Sequence, residues 1–251
     1  MGIGISRQDG TTLVTLDWPE KRNALDVDQM SDLSAALEEA AGGDTSVIVL
    51  TGNGAFCAGA NLRKVTSRSA LSETERRSLV ENVAHRLIRA VVDAPIPVIA
   101  AVDGPAVGLG FDLALACNCR LIGPRGWMMQ GWGRIGVIPG AGGELLLRLL
   151  NPSILWRLLE QQPRITGPEA ERWGLGEAVS SGSALDAALG RATALADLPR
   201  ETVLAYTSLH RSTLRRELPA HLAECAEVQP RLLASPAVAE RVARLLGPQP
   251  E

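Results

Sequence analysis

Three glycine-rich turns punctuate this 251-residue chain, each standing between a strand-like run and a helix-like run: the glycines at 52, 54 and 59, the stretch Gly104 to Gly110, and the stretch Gly136 to Gly143. A helix that begins after such a turn presents N–H groups with no carbonyl one turn earlier to accept them. Those groups can hold an anion, or an oxygen on which negative charge develops. Two such turns pointing at one place make an oxyanion hole. Taken singly, each turn can serve only to reverse the chain.

Other chemistries find little support. Serine, histidine and aspartate are all present, but no Gly-x-Ser-x-Gly elbow precedes a helix. The three histidines are far apart and form no His-x-x-x-His pair, so no metal site is expected. Gly108-x-Gly110 lacks the third glycine and the acidic ribose partner of a dinucleotide fingerprint.

The elements that must position the turns can be read from hydrophobic periodicity. Thr11 to Asp17 is β-branched and aliphatic, and Pro19 to Asn23 breaks it. From Val27 to Ala40, apolar residues recur at three- and four-residue steps, a helical stripe stopped by Gly42 and Gly43. Ser46 to Leu50 reads as a buried strand because Val47, Ile48, Val49 and Leu50 are continuously apolar, as in a strand covered on both faces. Ser72 to Val92 reads as one long helix opened by a Ser72/Glu75 capping box. Pro97 to Val102 and Arg120 to Ile122 read as strands, and Phe111 to Ala116 and Glu144 to Leu150 as helices. After Gly167 the expected elements are all helices: 170–173, 184–196, 203–216 and 218–234. Strands alternating with helices, then helices alone, describe an α/β core over residues 1–195 and a helical C-terminal domain over 196–251.

Composition narrows the function classes. A formal charge of −3 offers no broad basic field for nucleic acid or an anionic membrane. With 3% aromatic residues, stacking platforms for single strands are not expected either. No apolar run approaches the ~18–20 residues of a membrane span, and the N-terminus lacks the charged and apolar regions of a secretion signal. Cys57, Cys117, Cys119 and Cys225 have neither zinc-finger spacing nor the density of a disulfide scaffold, so free thiols in a cytoplasmic protein are expected.

Five segments together are far more specific than any one turn. They are Trp18-Pro-Glu-Lys-Arg-Asn-Ala-Leu25, Phe56-Cys-Ala-Gly-Ala-Asn-Leu-Arg63, the run from Pro97 to Gly110, Ile138-Pro-Gly-Ala-Gly-Gly143, and the run from Ile165 to Leu175. In their order and spacing the chain resembles the crotonase (enoyl-CoA hydratase/isomerase) superfamily along nearly its whole length. The resemblance implies a ClpP-like ββα spiral core with a helical trimerisation domain, homotrimers or hexamers, an acyl-CoA substrate, and no cofactor beyond its coenzyme A moiety. It also implies that the N–H groups of Ala60 and Leu109 form the oxyanion hole. The backbone around Ala24, Leu25, Ala58 and Leu62 becomes the seat of coenzyme A, with Lys21, Arg22 or Arg63 available to its phosphates. Those three cations can equally be a solvated face. Asn61 stands where the family usually has aspartate.

The chain departs from the family where hydration is performed. Hydratases of the family use two glutamates to orient and split water. The first falls on Asp112, a shorter carboxylate that can still move a proton, or can simply favour a helix N-terminus. The second falls on Trp132, which has only a donor N–H and cannot act as a general acid or base. It can wall the acyl pocket or merely pack. His85 aligns with the active-site histidine of the chlorobenzoyl-CoA dehalogenase branch, and Trp132 with a pocket tryptophan there. The nucleophilic aspartate of that branch falls on Gly140, which excludes displacement through an aryl ester. His85 has apolar neighbours, so a structural histidine is the stronger reading, with proton transfer as the other. Isomerisation, or another enolate reaction needing one proton shuttle, therefore fits better than two-glutamate hydration. A non-catalytic acyl-CoA binding homologue is the alternative, and a ligand-free structural oligomer the weakest.

Overall fold

The computed structural model describes residues 2–247, without the side chains of Thr66 and Ser69. Strands β1 (Gly2–Gln8) and β2 (Thr11–Asp17) form an antiparallel hairpin, and β3 (Val47–Gly52), β4 (Val98–Val102), β6 (Cys119–Ile122) and β9 (Glu177–Ala178) extend it in parallel, in the order β1-β2-β3-β4-β6-β9. Beside it lies a smaller sheet of β5 (Pro105–Val107), β7 (Trp127–Met129) and β8 (Ile165–Thr166).

The two faces of the large sheet follow from alternation along β3 and β4. Val47, Val49, Ile99 and Ala101 face α10 (Ala184–Ala196), whose Ala184, Ala188 and Ala192 bring the helix close. Ile48, Leu50, Val98, Ala100 and Val102 face the main core, packed against α1 (Val27–Ala40) and α4 (His85–Val92). Each fully buried leucine, isoleucine or valine there contributes roughly 1.5–3 kcal/mol of transfer free energy. Because both faces are covered, the strands read as unbroken apolar runs rather than alternating ones.

Short helices carry the turns that follow the strands: α2 (Leu62–Ser67), α5 (Leu109–Ala116), α6 (Trp132–Ile135), α7 (Gly143–Leu150), α8 (Leu155–Gln161) and α9 (Gly167–Arg172). The helix expected over 72–92 begins with its capping box at Ser72 and Glu75 but is not uniform. It runs as α3 (Glu73–Leu79), a π-helical turn over Val80–Ala84, and α4. Such a turn inserts a residue and rotates the faces of the next helical segment, which local periodicity does not reveal.

The two C-terminal helices expected over 203–216 and 218–234 are one helix, α11 (Arg200–Leu233), and α12 (Pro236–Leu246) follows it. Pro219 lacks an N–H and should interrupt a helix. Here Leu214, Leu218 and Leu222 are buried on both sides of it, and Arg215 donates to Val92 O at 3.0 Å and Ala94 O at 2.7 Å. Tertiary packing therefore holds the helix through a position where local propensity would end it. Leu233, Val238 and Val242 join the same main core, with α11 packed over α3, α4 and α7 and α12 over α2 and α6.

Candidate active site

The site is built where the loop after β3 meets the turn before α5. Cys57 N donates to Pro105 O at 3.0 Å, and Val107 N donates to Cys57 O at 2.9 Å, so the two segments run side by side as a short parallel bridge. Two glycines make this approach possible. A Cβ at Gly110 would lie 2.1 Å from Cys57 O, and one at Gly59 would lie 2.4 Å from Val107 O and 3.3 Å from Leu109 N. Gly59 also has φ +90°, a conformation other residues rarely adopt.

The same loop is stitched to the segment before α1. Ala58 N donates to Arg22 O at 3.0 Å, Leu25 N to Gly59 O at 2.8 Å, and Asn61 N to Leu25 O at 2.8 Å. Because Gly59 O and Asn61 N engage Leu25, the N–H of Ala60 between them points to the opposite side. Leu109 opens α5, and the first backbone bond of that helix joins Asp112 N to Gly108 O at 3.0 Å. Its N–H is thus one of the helix's unpaired N-terminal donors. Among the described residues neither N–H has a hydrogen-bond acceptor.

Ala60, Leu109 and Trp132 line a common pocket with Met30, Ile135 and Ala141. The π-helical turn contributes Val80, Val83 and Ala84 to its wall, and Leu79 adjoins them. The enclosed space is narrow, about 50 Å³, and mostly apolar. A cavity of about 150 Å³ accommodates benzene, so a group of that size enters here only if the walls move. Leu109 is itself buried in that wall, 2% exposed.

Asp112 and Trp132 are brought together, but at different depths. Trp132 Nε1 donates to Asp112 Oδ2 at 2.8 Å. Asp112 is fully buried, and its Oδ1 has no hydrogen-bond partner among the described residues. That oxygen packs against the backbone of Gly143, where a Cβ would stand 2.0 Å from it. Burial pushes the carboxyl up to about 8, while the Trp132 hydrogen bond pulls the other way. At neutral pH the group therefore carries its proton most of the time. Trp132 belongs to the pocket wall; Asp112 lies behind the indole and is not part of that wall.

His85 also stands outside the wall. Its Nε2 is 2.8 Å from Gly140 O, so the neutral ring donates to that carbonyl and ties the α3/α4 helix to the turn before α7. Burial lowers its basicity, and the Gly140 contact opposes this only in part.

The expected coenzyme A residues cluster as a rim rather than a pocket. Ala24, Leu25 and Ala58 are joined through the backbone bonds above, and Leu62 and Arg63 follow at the start of α2. Arg22 and Arg63 are exposed, and the Lys21 ammonium lies 5.4 Å from the centroid of the Trp18 ring. Arg22 and Asn23 both have positive φ, and buried Asn23 secures the bend by accepting from Trp18 N and donating to Ala55 O.

Sequence reasoning does not find the part of the wall supplied from elsewhere. Arg68, Arg76, Gln229 and Leu233 also line the pocket. Arg76 is buried and donates to Pro230 O at 3.0 Å and to Leu71 O, joining α3 to α11. Nothing in the local sequence of α11 marks Gln229 as a wall residue, because its placement depends on how a helix 34 residues long docks.

The family model for enoyl-CoA hydratase/isomerase matches residues 6–242. A probable enoyl-CoA hydratase of Rhodobacter capsulatus is 35% identical over 245 residues, covering 96% of this chain and 93% of that protein. The fold is similar to that of an enoyl-CoA hydratase/isomerase from Mycobacterium paratuberculosis, with TM-score 0.89 at 22% identity over 96% of this chain and 97% of that one. It is also similar to Pseudomonas aeruginosa OdaA, with TM-score 0.87 at 28% identity over 98% and 99% of the two chains.

Proposed function

The chain belongs to the enoyl-CoA hydratase/isomerase family of acyl-CoA enzymes, and on that premise we propose that the N–H groups of Ala60 and Leu109 hold the thioester oxygen of its substrate. Charge leaving the α-carbon then settles on an oxygen facing two donors already in place, an arrangement worth several kcal/mol of transition-state stabilisation. Support comes from the backbone bridge that brings the two turns together and leaves both N–H groups without internal acceptors. The coenzyme A moiety would lie along Ala24, Leu25, Ala58 and Leu62, with Lys21, Arg22 and Arg63 toward its phosphates. No cofactor beyond that moiety is invoked. We also propose a cytoplasmic homotrimer or hexamer.

The observation that carries the choice of reaction is the 2.8 Å bond between Trp132 and Asp112. It fills the place of a second carboxyl with an indole and leaves one group to move protons. Double-bond isomerisation needs only one. Ionised Asp112 takes a proton from the α-carbon of a 3-enoyl thioester, and the electron pair moves onto the oxygen held by Ala60 and Leu109. The same carboxyl returns the proton at the γ-carbon, so no atom is gained or lost. Hydration would need a further group to hold and split a water. Because the indole covers Asp112, Trp132 must turn aside before that proton moves.

The covered state of Asp112 also favours a second reading, a non-catalytic acyl-CoA binding protein. Incubation with crotonyl-CoA and with a trans-3-enoyl-CoA, followed by enoyl-thioester absorbance, separates the two. Turnover of the 3-enoyl ester alone supports the isomerase reading. Rapid loss of crotonyl-CoA absorbance contradicts it. Silence on both esters alongside micromolar binding supports the binding protein.

A further inference from the structure

At the far end of α5 from the oxyanion turn, two arginines are buried without a carboxylate. Arg211 is 3% exposed and Arg120 is 9% exposed, and neither forms an ion pair among the described residues. Arg120 is satisfied by backbone: it donates to Leu175 O and Cys117 O, each at 2.7 Å, and to Leu115 O at 3.3 Å. The carbonyls at the end of α5 offset part of its charge. Arg211 is less well served. Its Nη2 donates to Asn118 Oδ1 at 2.8 Å, while its Nε is buried with no partner among the described residues.

Glu177 acts on Arg120 from a distance, but no carboxylate acts on Arg211. Burial pushes the Cys117 thiol up to about 12, so it is neutral at pH 7. Glu177 is held by both Nη atoms of Arg191, at 2.5 and 2.6 Å. Burial draws Arg211 down to about 10, which still leaves it charged at neutral pH. An uncompensated buried guanidinium is strongly unfavourable, and its planar fork matches a carboxylate.

Both arginines open onto a cavity of about 320 Å³ on the surface formed by α5, α7 and α11. His210 and Thr213 line its polar side, and Leu149 and Leu150 stand at its rim, 42% and 36% exposed. We propose that this cavity is a second binding site, separate from the acyl pocket, for a small monocarboxylate whose carboxyl group pairs with Arg211 and whose short hydrocarbon body lies against the leucines. Charge selects the head group, and the apolar rim distinguishes such an acid from chloride or phosphate.

The test is thermal melting of the full chain in sodium butyrate against equal concentrations of sodium chloride and of n-butanol. A saturable rise of a few degrees with butyrate alone is expected, and Arg211→Gln should abolish it. Should that variant fail to fold, Leu150→Glu places a carboxylate at the exposed rim. It is expected to raise the melting temperature without butyrate and to cut the butyrate response severalfold. An equal rise with chloride or butanol, or a response that survives Arg211→Gln, overturns the proposal. So does indifference to butyrate together with dissociation of an oligomer by Arg211→Gln, which would assign the pocket to an acidic side chain of a second copy.

Discussion

Trp132 Nε1 and Asp112 Oδ2 are 2.8 Å apart, which makes the indole both the lid over the site's carboxyl and its one hydrogen-bond donor among the described residues. This pairing joins positions 20 residues apart in the sequence. Burial keeps the carboxyl protonated against the pull of that hydrogen bond, and the indole stands between it and the pocket.

A dry carboxyl makes folding pH-dependent in a stated direction. Asp112 holds its proton to about pH 8 when folded, whereas the unfolded chain releases it near the ordinary value of 3.8. Between those values the folded state binds more protons, so this group's contribution is full at low pH and is lost as pH rises to about 8. The slope is about 1.4 kcal/mol per pH unit. Asp112→Asn should flatten that window and raise stability at pH 8 relative to the parent. Urea midpoints from pH 4 to pH 9 check this; parallel curves for the two proteins would refute it.

The proposed proton-transfer role gives Asp112 a kinetic signature too. As the base it must be ionised, so isomerase turnover should rise with pH and level off above about 8. Trp132→Phe removes the donor that stabilises the ionised form, and should move that midpoint to higher pH. Asp112→Asn should lower turnover on the order of a hundredfold or more. A pH–rate profile that is flat through pH 8, or the same in Trp132→Phe, would contradict the assignment.

Gly59 offers a backbone test. Gly59→Ala places a Cβ 2.4 Å from Val107 O at φ +90°, so the two turns must separate. Turnover should fall by about 10²–10³, the usual loss for one oxyanion donor. Gly54→Ala has similar positive φ, +78°, but meets nothing within 4 Å, so it should cost only local strain and leave turnover nearly intact. Equal losses in the two variants would count against the contact between the turns.

Much of this arrangement is legible in the sequence. The helical stripe over 27–40 and the helix over 184–196 stand where periodicity puts them, because each buries a regular face. The small sheet is not legible: β5, β7 and β8 span two or three residues, too short for a period, and their partners lie far apart in sequence. Pro219 points to a break that α11 does not have, since its local cost is outweighed by leucines buried on both sides. At the site, glycine spacing points to the turns. That Trp132 covers Asp112 depends on how α6 packs on α5, which neither segment encodes alone.

His85 should prove to be a positioning residue. Its Nε2 holds Gly140 O, and removing it as His85→Leu leaves a buried carbonyl unpaired at a cost of about 1–3 kcal/mol. Stability should fall while the midpoint of the pH–rate profile stays in place. A displaced midpoint would instead make His85 part of the proton path.

The most direct measurement is a crystal structure with a short, non-reactive acyl-CoA analogue bound. The thioester-type oxygen is expected about 2.7–3.1 Å from the backbone nitrogens of both Ala60 and Leu109. An analogue bound with that oxygen out of reach of either nitrogen would contradict the account.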